Sequence, residues 1–249
     1  MPMAGKATLI VLAVLLLPHA AAAQCPPCPP QPPPGWAISV GGGLSRTGGN
    51  TETSSYNLLA SAVYDPRKKN VVRFEALYLR TEQEGLAAVD RTFAKARDEY
   101  TLSGRLFAFG ELGYLRDNPK EVEYLISPVA GLGYRLLEGA RVLAAVDAGV
   151  GAAFEKLKDQ EGTADLAVQA TERVEWKATS VATLYEKAGG LWKAGDFGDA
   201  YYRAEVGLAT TLAKRLELKL AFADDYKTRP PRDLKKNDTS FIASLVFKP

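Results

Sequence analysis

Apolar and polar residues alternate along much of this chain, most regularly between residues 105 and 157. Within this stretch, three segments place an apolar or small residue at every second position, with polar residues such as Glu111 and Asp147 between them. Because successive side chains of a β-strand point to opposite faces, the alternation predicts three consecutive strands, each with one apolar face. The polar faces are those that a membrane barrel turns inward.

The same alternation continues on both sides of this stretch and predicts about twelve strands, a number that suits membrane strands of ~9–11 residues. Short turns alternate with longer loops, which we expect at residues 81–91, 116–123, 188–199 and 228–238. Short turns at one end and longer loops at the other are typical of a closed barrel in an outer membrane. We therefore predict an all-β fold, a closed antiparallel up-and-down transmembrane β-barrel over residues 36–249.

Two predicted strands break the pattern, because Asp98 and Glu172 fall on faces that ought to be apolar. A β-bulge, which inserts one extra residue, corrects such a register. The sequence does not place a bulge at either position, so the registers near both residues stay open.

Charged residues of both signs fall on the predicted inward faces. They are Arg73, Glu75, Lys95, Arg97, Glu99, Glu111, Asp147, Arg173, Arg203, Glu205, Glu217 and Lys219. Paired carboxylates are also the groups of a glycosidase site. A barrel lumen needs polar lining, however, and opposite charges on neighbouring strands form cross-strand pairs. We therefore favour lining or filling of the lumen over catalysis for this set.

One of these charges has predicted partners. A tight turn near Lys214 places Thr211 opposite Glu217, and the same register puts Arg203 opposite the region of Asp225. Arg203 is therefore expected to reach Asp225, or a carboxylate such as Glu186 on the preceding strand.

Aromatic residues fall near the predicted strand ends, as expected for two girdles at the membrane interfaces. Those beside the longer loops are Tyr78, Tyr114, Tyr124, Phe154, Tyr202 and Tyr226. Those beside the short turns or the termini are Trp36, Tyr64, Tyr134, Trp176 and Phe247.

The first residues predict export from the cytoplasm. Residues 1–23 have the features of a secretory signal peptide, with Lys6, an apolar run at 9–17 and small residues before a cleavage site after Ala23. Residues 24–35 form a proline-rich linker. No other run is long and apolar enough for a membrane helix, so a membrane location requires a closed barrel.

The composition narrows the chemistry. The net charge of +2 gives no argument for nucleic acid, and the single histidine, His19, lies inside the predicted signal peptide. We therefore expect no histidine-dependent catalysis, no enzymatic activity, no cofactor and no metal site. Cys25 and Cys28 have the spacing of a redox motif, but their proline-rich surroundings favour a linker disulfide or an intermolecular bond.

Five segments carry a family resemblance: GGNTET near Asn50, FAFGELGYLRD at Phe107–Asp117, GLGYRLL ending at Leu137, GDFGDAYYR around Phe197 and the closing KKNDTSFIASLVF. In this order they resemble the YdiY-like family of salt-induced outer-membrane proteins (domain of unknown function 481), over nearly the whole chain after the linker. The resemblance implies an outer-membrane β-barrel and carries no known activity or catalytic residues. The end departs from the usual pattern of such barrels, because Lys248 and Pro249 follow Phe247 and Ile242 replaces a common glycine.

These observations predict a barrel in the outer membrane of a Gram-negative cell, either a narrow pore for ions and small solutes or a structural envelope protein. Its expected partners are outer-membrane lipid, the barrel-assembly machinery and small solutes. The alternative is a soluble periplasmic barrel that binds an apolar ligand inside. That alternative reverses the facing of every strand. The many charges on the predicted inward faces, such as Arg73, Glu111 and Asp147, do not suit a cavity for an apolar ligand.

Overall fold

The computed structural model describes residues 34–47, 53–230 and 235–249. The predicted signal peptide (1–23), Cys25 and Cys28 lie outside the described residues, as does the predicted linker (24–35) except for its last two positions. Within the described part, no helix has the length and apolar character needed to cross a membrane.

Twelve antiparallel strands in the described ranges close into a barrel in sequence order, with the first strand paired to the last. They are β1 (Gly35–Thr47), β2 (Thr53–Asp65), β3 (Asn70–Gln83), β4 (Leu86–Ser103), β5 (Leu106–Asp117), β6 (Val122–Glu138), β7 (Val142–Leu157), β8 (Thr163–Lys177), β9 (Ala182–Lys193), β10 (Asp196–Ala213), β11 (Leu216–Lys227) and β12 (Asn237–Phe247). The predicted all-β closed barrel is confirmed.

The connections between strands are short at both ends of the barrel, except for the one between Lys227 of β11 and Asn237 of β12. The end at which β1 begins and β12 ends is called the terminal end below, and the other is called the distal end. Two of the predicted distal loops are wrong, because β3 runs to Gln83, β4 starts at Leu86, and only Ala194 and Gly195 separate β9 from β10. The strands continue there because their backbones keep pairing up to the turns, with Leu86 opposite Gln83 and Asp196 opposite Lys193.

A two-residue turn replaces the loop expected at residues 81–91. Glu84 and Gly85 both have positive φ, at 52° and 78°. This conformation closes a tight hairpin whose twist matches that of its strands, and glycine adopts it without a steric penalty.

No bulge occurs at the two positions where the pattern breaks. Asp98 pairs with Val72 and Gly110, and Glu172 pairs with Val146 and Ala188, in uninterrupted register. The correction by bulges is therefore unnecessary. Both acids lie on the outer face, Asp98 among apolar and small neighbours and Glu172 close to a second outward acid, Glu186.

Large apolar side chains cover the outside of the barrel. Leu166, Phe241 and Val150 are among the most exposed. Because the folded barrel leaves many large apolar side chains on its outer surface, that surface needs an apolar environment.

Candidate functional site

The barrel interior holds a dense set of charged side chains, which is the candidate site. Every charged residue that the sequence assigned to the inward faces shares its face with buried or half-buried residues, and most bind an opposite charge inside the barrel. Their role as the lining of a pore stays a prediction. The contacts group into a network around Arg97, two distal networks and a central group.

Arg97 of β4 is the centre of the largest network. Its Nε donates to Glu99 at 2.9 Å, its Nη1 to Glu111 at 2.8 Å and its Nη2 to Asp147 at 2.7 Å. The guanidinium lies 4.0 Å from the centre of the Phe109 ring. Three carboxylates and one aromatic face therefore surround this buried cation, which fixes its position.

Glu99 extends this network across the lumen. Its Oε1 accepts from Arg173 Nη1 at 2.6 Å, and its Oε2 lies 2.9 Å from Arg73 Nη1. Arg73 lies on β3 and Arg173 on β8, so one buried carboxylate joins two separated parts of the wall. Lys95 and Gln169 complete the group at Glu111 Oε1, at 3.3 and 3.0 Å.

The first distal network surrounds Arg91 near the distal end of β4. The Nε atom of Arg91 donates to Asp117 at 2.8 Å, its Nη1 to Asp225 at 2.5 Å and its Nη2 to Asp238 at 3.1 Å. Lys120, in the turn between β5 and β6, places its Nζ 3.1 Å from Asp238. These contacts join β4 and β5 to β11 and β12 through the lumen.

The second distal network surrounds Glu155 of β7. Lys193 Nζ donates to Glu155 Oε2 at 2.8 Å, and Lys227 and the hydroxyl of Tyr201 also bind this carboxylate. Lys193 additionally lies 2.9 Å from Asp199. The network ties β7, β9, β10 and β11 together at one level.

The sequence interpretation did not identify either distal network. Arg91 fell in an expected loop, and Glu155 and Lys227 fell beside expected loops. The alternation itself is the signal that could have identified them. If the strands are extended beyond the predicted ends, each of these residues falls on the inward face of its strand.

The central group connects opposite walls with fewer contacts. Glu75 of β3 accepts from Lys187 Nζ of β9 at 2.9 Å. Glu205 of β10 accepts from the hydroxyl of Tyr185 at 3.0 Å and from Lys219 Nζ at 3.4 Å. This part of the interior is more open to water than the networks around Arg97 and Arg91.

Two further predicted residues lie towards opposite ends of the lumen. Arg203 donates to Asp225 at 2.8 Å and to Glu205 at 3.1 Å. Glu217 binds Lys248 at 2.6 Å near the terminal end. Glu186, the other acid considered for Arg203, lies on the outer face, because it pairs with Val174 and Val206 in register.

The predicted girdle aromatics lie on the outer face, near the two ends. At the terminal end Trp36 packs on Tyr64 and Phe74, with ring centroids 5.1 and 6.3 Å apart. At the distal end Trp192 donates to the hydroxyl of Tyr202 at 2.8 Å. Phe74 and Trp192 add to the predicted set, while contact with lipid stays a prediction. The remaining predicted members occupy outward positions too: Tyr78, Tyr114, Tyr124, Phe154 and Tyr226 distally, and Tyr134, Trp176 and Phe247 terminally.

Metal ligation has no visible basis in the described ranges. No group of three or more histidine, cysteine, aspartate or glutamate residues there is arranged to hold a metal ion. The convergent carboxylates are instead bound by arginine and lysine.

Comparisons with other proteins agree with the barrel. A family model described as "Protein of unknown function, DUF481" matches residues 40–248. The solved structure of the NanC porin is similar, with a TM-score of 0.54, 9% identity, and coverage of 86% of this chain and 100% of the porin. At this identity the likeness shows the fold alone. A search of curated proteins gave no significant match.

Two other solved barrels are similar at lower scores. The translocator domain of the autotransporter NalP from Neisseria meningitidis has a TM-score of 0.46 and 10% identity, over 85% of this chain and 86% of that domain. The KdgM porin has a TM-score of 0.46 and 9% identity, over 85% of this chain and 98% of the porin.

Proposed function

The chain belongs to the DUF481 family of proteins of unknown function, and we propose that it is an outer-membrane barrel whose lumen is a narrow passage for ions and small solutes. The facing of the strands supports a membrane location. The exposed outer face is apolar between two sets of aromatic residues, and a closed barrel satisfies its backbone hydrogen bonds internally.

The observation that supports a passage through the lumen is the unequal exposure of the charged side chains inside the barrel. The side chains of Lys187 and Glu75 are 43% and 38% exposed although they meet across the lumen from β9 and β3. The centre of the barrel therefore has room for water. The side chains of Arg91 and Lys227 are only 3% and 2% exposed, and those of Arg97 and Asp147 only 5% and 1%, so the lumen narrows both at the distal end and around Arg97.

The proposed location follows from the direction of the chain. An even number of strands returns both ends of the barrel domain to the same side, which in an exported outer-membrane protein is the periplasm. The partners in this proposal are outer-membrane lipid and the machinery that inserts barrels, and the solutes are small because of the distal constriction. The proposal includes no catalytic step.

The alternative of a soluble barrel with an apolar ligand inside fits the geometry poorly. It requires apolar side chains in the lumen and polar ones outside. The interior instead holds Arg97 with its three carboxylates, and an apolar ligand there would leave buried charges without hydration.

A non-conducting structural barrel is the second candidate. Ion pairs between opposite walls favour it, because Arg91 binds Asp225 and Lys187 binds Glu75 through the lumen. Such pairs brace the wall and narrow the passage at the same time. The two functions differ in whether ions cross the barrel.

Conductance in planar lipid bilayers separates these functions. The protein is purified from the outer membrane and inserted as the complete mature chain, and we expect small, discrete current steps. A barrel that inserts and protects its strands from protease, but gives no steps, would favour the structural function.

A labelling experiment assigns the current to the lumen. In a Cys25→Ser/Cys28→Ser background, Lys187→Cys provides a thiol inside the barrel, and Lys156→Cys provides one outside, where the Lys156 side chain is 39% exposed. We expect a bulky thiol reagent to reduce the current through Lys187→Cys and to leave that through Lys156→Cys unchanged. Equal effects would place the conducting path elsewhere.

A further inference from the structure

The exposed charges in the middle of the lumen are predominantly cationic, although charges of both signs are present. Among the inward cations, Lys95, Arg203 and Lys219 keep 28%, 25% and 29% of their side chains exposed. Their acidic partners are more deeply covered, since Glu111 is 4% and Glu205 12% exposed. A solute beside these three cations therefore meets their ammonium and guanidinium groups before it meets the carboxylates that bind them.

The length of lysine and arginine side chains does not explain this arrangement. Long side chains would bring cations to the water at every level of the barrel. At the distal end the order is reversed, because Arg91 and Lys227 are buried while Asp238 and Asp165 are 38% and 36% exposed. The cationic surface is thus particular to the central section.

The remaining exposed charges of this section balance one another. Lys187 binds Glu75 directly at 2.9 Å and also interacts with Glu175, a second exposed inward acid. Lys95 and Lys219 interact with Glu75 only at longer range, and the direct partners of Lys95, Arg203 and Lys219 lie closer to the wall. Arg73 and Arg173 are also 33% and 27% exposed, but both bind buried Glu99 in the network around Arg97. In the central group, the charges of Lys95, Arg203 and Lys219 are therefore available to a solute.

Two aromatic rings hold these three cations in a group. Arg203 and Lys95 lie over the Phe93 ring, at 5.6 and 6.0 Å from its centre, and Lys219 lies 5.0 Å from the centre of Tyr185. Arg203 and Lys219 also share Glu205 as a partner. Side chains from β4, β10 and β11 thus reach towards one another, with Arg203 on the distal side of Glu205 and Lys219 on its terminal side.

Resting on the proposed passage, we infer that Lys95, Arg203 and Lys219 form a binding and selection site for small anions that carry carboxylate or phosphate groups. Lysine and arginine donate charge-assisted hydrogen bonds to such oxygens. The site lies in a lumen enclosed by a low-dielectric wall, which focuses the field of these cations more than an open surface does. Anions are concentrated there and cations are repelled.

The test uses the variant Lys95→Gln/Lys219→Gln, which removes two exposed cations and keeps Arg203 with its buried partners. Lys156→Gln is the control, because it removes one lysine from the outer face, where Lys156 pairs with Glu123. Lys219→Arg keeps the charge. Reversal potentials are measured in a KCl gradient, and inorganic phosphate binding to the detergent-solubilised barrel is measured by calorimetry.

We expect wild type and Lys156→Gln to prefer chloride, and the double variant to lose this preference. Phosphate binding should weaken about tenfold in the double variant, the effect of removing close ionic contacts, and should be kept in Lys219→Arg. A conducting barrel that prefers potassium, or whose selectivity is unchanged in the double variant, would overturn the anion site and leave the passage intact.

The two proposals fail separately. If the barrel does not conduct, the passage is disproved and calorimetry alone decides the anion site. Phosphate binding that requires Lys95 and Lys219 would then support a closed anion-binding lumen. No phosphate binding by the wild type, or equal binding by the double variant, would overturn the inference whether or not the barrel conducts.

Discussion

Arg203 and Asp225 stand directly opposite each other on β10 and β11, and Arg203 Nη1 donates to both carboxylate oxygens at 2.8 Å. This register agrees with the sequence prediction from the turn near Lys214, including the pairing of Thr211 with Glu217. Asp225 also accepts from Arg91. One carboxylate thus joins the two halves of the distal lumen.

Replacing Arg203 with alanine should lower the free energy of unfolding by about 1–3 kcal/mol, because two partly buried carboxylates lose a charged donor. Urea unfolding in lipid vesicles, followed by tryptophan fluorescence, measures the change. Lys156→Ala is the matched control, since it breaks an exposed pair whose loss should be too small to resolve. The same loss in both variants would contradict a stabilising role for Arg203.

Arg97→Met should cost more, about 3–5 kcal/mol, because it leaves buried carboxylates without their shared cation. The double variant Arg97→Met/Asp147→Asn should cost less than the sum of the two single variants, since the neutral amide no longer needs the guanidinium. Unfolding free energies of the four proteins give the coupling. Strict additivity would mean that Arg97 and Asp147 do not depend on each other.

Gly131→Ala should disturb the pairing of β6 with β7. A Cβ atom at Gly131 would lie 2.1 Å from the carbonyl oxygen of Ala148 and 2.5 Å from Gly149 Cα, so the strands must separate. Overpacking of this kind costs about 1–3 kcal/mol. Gly110→Ala is the control, because a Cβ there meets nothing within 4 Å. Equal stability of the two variants would show that β6 and β7 tolerate a wider separation.

Two arginine substitutions on β7 test the outer face. Val150 pairs with Ala130 and Val168, so Val150→Arg faces only apolar neighbours and should cost about 2–4 kcal/mol near the bilayer midplane. Val146 pairs directly with Glu172, and Val146→Arg should cost less because the new cation meets that acid. Unfolding in lipid vesicles measures both.

The charge-free counterpart of the second substitution completes this test. In a Glu172→Gln background the new arginine has no acid to pair with. Val146→Arg should then lower the free energy of unfolding as much as Val150→Arg does. An advantage that persists without Glu172 would disprove the ion pair on the outer face.

The sequence by itself determined the architecture and the facing of the strands. The period of two is local, so the alternating residues of a segment such as Val142–Leu157 specify which side chains share a face whatever the rest of the chain does. The pairing of neighbours is also local where a tight turn sets it, as for Arg203 and Asp225. At Asp98 and Glu172 the alternation predicts the correct facing without a bulge. Each acid occupies the outward position that the period of two gives it, although its side chain is charged.

Only the tertiary structure decided which inward charges meet. Arg91 and Asp225 are 134 residues apart, and Lys187 and Glu75 are 112 apart. Contacts across a lumen depend on how the barrel closes and how far its strands are tilted and staggered, and these quantities belong to the whole sheet. The same closure fixes which charges are covered and which face the water, because burial depends on side chains that approach from the opposite wall. The cationic character of the central lumen follows from that closure, since the sequence supplies charges of both signs to the same faces.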